Sequence, residues 1–159
     1  MPNSAPHTAS EASLPTGSSS GLSPSHAASV GEVWSLDVRG LDAARLAGQT
    51  GVESLQRLFQ AIIQAAELHP VAEPIWHRFE GENAGVTGIV ALSESHLACH
   101  TFPEHAGLTL DLYTCVARPA LARSGFWEEL LGAHVGCVNR PVEICARSYA
   151  RRLAPEARS

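Results

Sequence analysis

Apolar and polar side chains alternate through Val33-Trp34-Ser35-Leu36-Asp37-Val38, the period-two pattern of a strand with one buried face. The period then changes. Val52, Leu55, Phe59, Ile62, Ile63 and Ala66 recur at helical spacing and make one apolar stripe. Thr50-Gly51-Val52-Glu53 matches a capping box at its start, and His69-Pro70 predicts its end, because proline disfavours helical geometry in the residue before it. Ala72 to Phe79 and Val86 to Leu92 read as two strands joined by the turn-rich segment 80–85. His96 to Phe102 and Leu108 to Val116 read as two more, joined through residues 103–107. A second helix is predicted from about Ser124 to His134 with Phe126, Leu130 and Leu131 inward, then a last strand from Pro141 to Tyr149 and a frayed arginine-rich end. This order predicts an α+β fold, a two-layer α/β sandwich whose largely antiparallel sheet carries helices on one face.

Residues 1–31 are rich in Ser, Ala, Pro and Gly and bury too little apolar surface to offset their ordering entropy, which predicts a disordered tail. Residues 32–159 then form a single domain, and an apolar content of 45% suffices for a core without metal or disulfide support. A net charge of −5 with no basic cluster argues against a nucleic-acid partner or an anionic membrane surface. No apolar run approaches the roughly 20 residues of a spanning helix, and the N-terminus lacks a signal peptide's charged and apolar regions. The expectation is a soluble, cytoplasmic protein. Cys99, Cys115, Cys137 and Cys145 belong to a chain that is not cysteine-dense, so reduced thiols are expected, with Cys99, Cys137 and Cys145 as packing residues.

All eleven cationic side chains are arginine. Without lysine the chain cannot hold pyridoxal phosphate as a lysine imine, so any imine chemistry must find its electrophile elsewhere. The backbone at a serine is one source.

Chemistry concentrates between Ser93 and Cys115, where a serine follows a carboxylate among histidines and two cysteines. Strand alternation puts His96, Ala98, His100 and Phe102 on one face. With the loop centred near His105 and Ala106, Cys115 would lie opposite His96, Tyr113 opposite Ala98, and Asp111 opposite His100. That register would bring the Cys115 thiol beside Ser95 and offer His100 a carboxylate to fix its tautomer. His96, Cys99, His100 and Cys115 are also zinc-ligand types, but adjacent Cys99 and His100 point to opposite faces, so no metal site is expected. A cysteine-nucleophile hydrolase built on Cys115 would leave Glu94-Ser95 without a role.

At these residues the sequence resembles the prokaryotic S-adenosylmethionine decarboxylase family of self-cleaving pyruvoyl enzymes. The resemblance runs from about Val33 to Tyr149. It rests on Ser93-Glu94-Ser95-His96-Leu97, His100-Thr101-Phe102-Pro103-Glu104 and Asp111-Leu112-Tyr113-Thr114-Cys115, with His77-Arg78-Phe79 ahead of Gly85-Val86-Thr87-Gly88. It implies cleavage between Glu94 and Ser95 into a β chain (1–94) and an α chain (95–159), with Ser95 becoming a covalent pyruvoyl cofactor. By the same resemblance His100 takes the α-proton of residue 95, Thr87 supports the oxyanion step and Cys115 returns a proton to the substrate. Phe79 and Phe102 would stack on S-adenosylmethionine, Glu104 would meet its ribose or assist processing, and the cleaved protomers would pair as a homodimer. A pyruvoyl-dependent ornithine or arginine decarboxylase, or a non-processing ligand- or zinc-binding homologue, is the alternative. Thr87 stands where many members have serine, Phe102 where tryptophan is frequent and His105 where tyrosine is frequent. The loop before Gly85 is longer than in compact members, and the N-terminal tail is an addition.

Overall fold

A computed structural model of the chain describes residues 31–136 and 143–149. Six strands form one sheet: β1 (Gly31–Arg39), β2 (Ile75–Arg78), β3 (Val86–Leu92), β4 (Ser95–Phe102), β5 (Gly107–Thr114) and β6 (Glu143–Tyr149). They lie in the order β2-β3-β4-β5-β1-β6, and every pairing is antiparallel. Helices α1 (Gly48–Ala65) and α2 (Phe126–Val135) supply the second layer. The expected α+β sandwich is the observed one. Gly31, the last residue of the predicted tail, opens β1; residues 1–30, the frayed C-terminus, Pro141 and Cys137 lie outside the described residues.

The core is the seam between helices and sheet. Leu36, Val38, Val90, Leu97, Cys99, Leu110 and Leu112 point into it from alternate strand positions, and Leu55, Leu58, Phe59, Ile62, Phe126, Trp127 and Leu131 meet them from the helices. Trp34 and Trp127 face one another across the seam with ring centroids 5.9 Å apart. At the sheet edge Trp76 reaches inward over Gly88 to contact Phe59 at 4.9 Å, and a Cβ at Gly88 would collide with the indole. Among the described residues the opposite sheet face has no helix on it and leaves Ile75, Ile89, Phe102 and Tyr113 exposed.

The boundaries of α1 differ from the sequence expectation at both ends. Its N-cap is Ala47, without a side-chain cap bond, and Thr50 lies inside the first turn, so the capping box does not form. Close packing decides this: a Cβ at Gly51 would sit 2.7 Å from the Leu46 carbonyl, holding the first turn against the buried Leu46. The helix stops before His69-Pro70 because Glu67 adopts a left-handed conformation, φ 52°. Glu67 N–H then donates to the Gln64 carbonyl and Leu68 N–H to the Ile63 carbonyl, a Schellman ending.

Candidate active site

β3 and β4 are joined by a turn of two residues, Ser93 and Glu94, with Leu92 paired to Ser95. The turn is held from three directions. Ser93 N–H donates to the His69 carbonyl at 2.8 Å, and the Glu94 carbonyl accepts the Cys115 N–H at 2.9 Å. The Glu94 side chain is only 7% exposed, with Oε1 2.6 Å from both His69 Nδ1 and Arg118 Nη2. Its Oε2 accepts the His69 N–H at 3.2 Å. Burial alone would raise this carboxyl's pKa, but hydrogen bonds from the His69 ring, the His69 and Glu94 backbone and the Ser93 side chain outweigh it. The result is a value lowered from 4.5 to about 2. Next to this anchored residue, Ser95 has φ 155°, a conformation L side chains rarely adopt and one that persists only where its surroundings over-determine it.

Along β4, Leu97, Cys99 and Thr101 are buried, while His96, His100 and Phe102 occupy the open face. Ser95 Oγ lies 3.1 Å from His96 Nδ1. The His96 ring stacks on Tyr113 at 6.2 Å, nearly parallel at 5°. Further along the strand, His100 Nδ1 is 2.9 Å from Thr87 Oγ1 on β3.

The β4–β5 register is displaced by two residues from the one the sequence suggested. His96 faces Tyr113, Ala98 faces Asp111 and His100 faces Thr109. Pro103 is the cause: it ends the strand at once in a 3₁₀ turn, and Ala106 at φ 48° closes the loop so that Phe102 pairs with Gly107. Asp111 therefore does not serve His100 and instead accepts the Ser35 hydroxyl at 2.6 Å. Thr87 is the partner His100 has. The displacement also moves Cys115 from opposite His96 to beside Glu94, where its backbone holds the Glu94 carbonyl and its side chain is exposed with a free thiol.

Phe79, Phe102 and Glu104 come together at the far end of β4. They line one cleft of about 760 Å³ with Glu80, Glu82 and Asn83. Ser95 and Phe102 are the two ends of an eight-residue strand, roughly 23 Å apart at strand rise. His100, five positions from Ser95, is about 16 Å away by the same measure. The predicted site residues thus form three groups in the chain: Glu94, Ser95 and Cys115; Thr87 and His100; and Phe79, Phe102 and Glu104. The structure does not unite the three groups within the one chain. Cys99 lies behind the sheet, its thiol pushed up to about 12 by burial, and cannot converge with His96 and His100 on the open face.

Sequence reasoning missed His69, Arg118 and the stacked Tyr113. His69 and Arg118 stand 25 and 24 residues from Glu94, with no spacing pattern to link them. The one available signal was a carboxylate in a hairpin turn, which needs a partner if it is buried.

Among the described residues no helix is long and apolar enough to cross a membrane. The family model for S-adenosylmethionine decarboxylase matches residues 32–136. The S-adenosylmethionine decarboxylase proenzyme of Geobacillus kaustophilus is 35% identical over 104 residues, 65% of this chain and 75% of that protein. The proenzyme of the same name from Aquifex aeolicus is 35% identical over 79 residues, 50% of this chain and 54% of that protein. The crystal structure of the Aquifex aeolicus adenosylmethionine decarboxylase superposes with a TM-score of 0.61 at 24% identity, covering 82% of this chain and 98% of that one, which shows the shared fold. The matched span carries the Ser93–Glu94 turn, Ser95, His96, His100 and Cys115, and the chain belongs to the S-adenosylmethionine decarboxylase family.

Proposed function

We propose that this chain is the precursor of an enzyme that cuts itself between Glu94 and Ser95 and then removes carbon dioxide from S-adenosylmethionine, producing the aminopropyl donor for spermidine. The observation that carries the reading is the Glu94–Ser95 link itself. Its carbonyl is held by the Cys115 N–H, its serine backbone is in a rarely occupied conformation, and the serine hydroxyl lies 3.1 Å from His96.

Self-cleavage follows from these groups. Ser95 Oγ attacks the Glu94 carbonyl carbon, a C–O bond forms as the C–N bond breaks, and the hydroxyl proton passes to the freed amine through His96. The Cys115 N–H opposes the negative charge that gathers on the carbonyl oxygen. A base then takes the α-proton of residue 95, and the Cβ–Oγ bond breaks to release Glu94 as the carboxylate end of a β chain, residues 1–94. The dehydroalanine left at the new terminus of the α chain, residues 95–159, tautomerises to an imine, and water hydrolyses that imine, releasing ammonia and leaving a pyruvoyl group. His100, oriented by Thr87, fits the base but lies too far along its own strand. A second copy, its open sheet face stacked on the first, would bring His100 to Ser95 and the Phe79–Phe102 cleft to the same place. The exposed Ile75, Ile89, Phe102 and Tyr113 suit such a homodimer interface.

The pyruvoyl group supplies a ketone that draws electrons from the substrate carbon as carbon dioxide leaves. Cys115, next to the turn, returns a proton to that carbon. Phe79 and Phe102 offer aromatic faces to the adenine and sulfonium, and Glu104 offers a carboxylate to the ribose diol. Glu80 and Glu82 line the same cleft and add the negative charge a sulfonium favours.

Intact mass of the purified protein is the primary test. Two fragments parted before Ser95 are expected, the C-terminal one blocked to Edman sequencing, and Ser95→Ala should remain whole. A wild-type chain that stays whole when folded would refute the proposal. Labelled carbon dioxide release should be seen from S-adenosylmethionine and be absent from ornithine and arginine. Mixing Ser95→Ala with His100→Ala chains tests the two-copy arrangement: only the His100→Ala chain should be cut, and only in the mixture.

A further inference from the structure

Arg118 stands outside every group named so far, yet it touches the residue that supplies the scissile carbonyl. Its Nη2 lies 2.6 Å from Glu94 Oε1 and its backbone N–H donates to Glu32 Oε2 at 3.2 Å. Glu32 Oε2 also accepts the Trp34 indole N–H at 3.3 Å, so the segment carrying Arg118 is tied to β1. The Arg118 Nε is buried without a partner among the described residues. An orphaned buried N–H is costly, and packing gives no return for it. The guanidinium is held where it is for the one contact it makes well, the Glu94 carboxylate.

That carboxylate is gripped by three donors on two segments: the His69 ring and N–H from one side and Arg118 from the other. Together with the Cys115 N–H on its carbonyl, these contacts leave Glu94 no freedom to turn. Ser95 inherits its unusual backbone from that restraint. Attack of a serine hydroxyl on the preceding carbonyl closes a five-membered ring and depends on that torsion, and small misplacements of reacting groups are expensive. Resting on the self-cleavage reading, we propose that Arg118 is a positioning residue for that step, fixing the Glu94 side of the scissile peptide through the shared Glu94 carboxylate.

The test follows cleavage of freshly folded precursor with time. Arg118→Ala is expected to cut ~100-fold more slowly than wild type, with Arg118→Lys recovering part of the loss. Guanidinium ion added to Arg118→Ala should speed cleavage, since Arg118 lines a cavity of about 250 Å³ with Glu67 and Pro119 through which a small cation can enter. The same substitutions in a Ser95→Ala chain, which cannot cut, report folding by thermal unfolding. Wild-type cleavage kinetics in a folded Arg118→Ala protein would overturn the proposal. So would a slow rate that guanidinium leaves unchanged and that parallels the fall in unfolding temperature. A wild-type chain that never cuts counts against the self-cleavage reading instead, whereas a wild type and an Arg118→Ala that cut alike remove this role alone.

Discussion

The two ends of β4 are built to opposite specifications. At Ser95 the chain is tied down: a two-residue turn, a carboxylate 7% exposed and gripped by His69 and Arg118, and a backbone torsion forced out of the ordinary range. At Phe102 it is open, with a cleft of about 760 Å³ floored by two exposed aromatic rings and rimmed by carboxylates. The first end restrains a bond of the protein itself, and the second leaves room for something from outside. Reactive geometry needs fixed neighbours and recognition needs free surface, so separating the two on one strand lets each be satisfied without compromising the other. The open sheet face between them is where a second copy would join them.

Substitutions at the two ends should part company in their readouts, and the largest effect is expected at the tied end. Cys115→Ala should still be cut, because its backbone N–H remains, while decarboxylation falls ~10²–10⁴-fold, the usual worth of a positioned proton donor. Normal turnover in that variant would remove the thiol from the chemistry. Phe79→Leu should leave cleavage untouched and raise KM for S-adenosylmethionine ~10-fold, the loss of about one aromatic contact to a cation. Slowed cleavage in that variant would blur the division of labour between the two ends.

The smallest effect is a pH dependence confined to the tied end, best read in the uncut Ser95→Ala chain. The Glu94 carboxyl is lowered from 4.5 to about 2 in the folded protein. Its stabilisation is therefore complete above pH 4.5 and disappears as the pH falls towards 2. The full amount is roughly 3 kcal/mol. Unfolding temperature measured across that range should fall in Ser95→Ala and fall less when Glu94→Gln is added.

The layers, the strand order along the chain and the open face of β4 were legible in the sequence, because alternation and helical periodicity report which side of an element meets the core. Boundaries were less so. The capping box at Thr50 lost to the close approach of Gly51 to Leu46, a contact between residues whose meeting no local pattern announces. Register was legible only to the accuracy of the loop: one proline at position 103 moved every cross-strand pair on β4 and β5 by two. The motif around Ser95 pointed to the right hairpin. It could not point to His69 and Arg118, which reach Glu94 only because the fold brings the ends of three separate segments to one turn.

The strand order has a further consequence. A break between Glu94 and Ser95 would place β1, β2 and β3 in one fragment and β4, β5 and β6 in the other, and in the sheet they alternate as two, two, one and one. Such fragments would be interleaved like fingers of folded hands, with three hydrogen-bonded seams between them. Neither half can depart by sliding off a surface. Dilution alone should leave the nicked molecule whole, and only conditions that melt the sheet should let its parts separate.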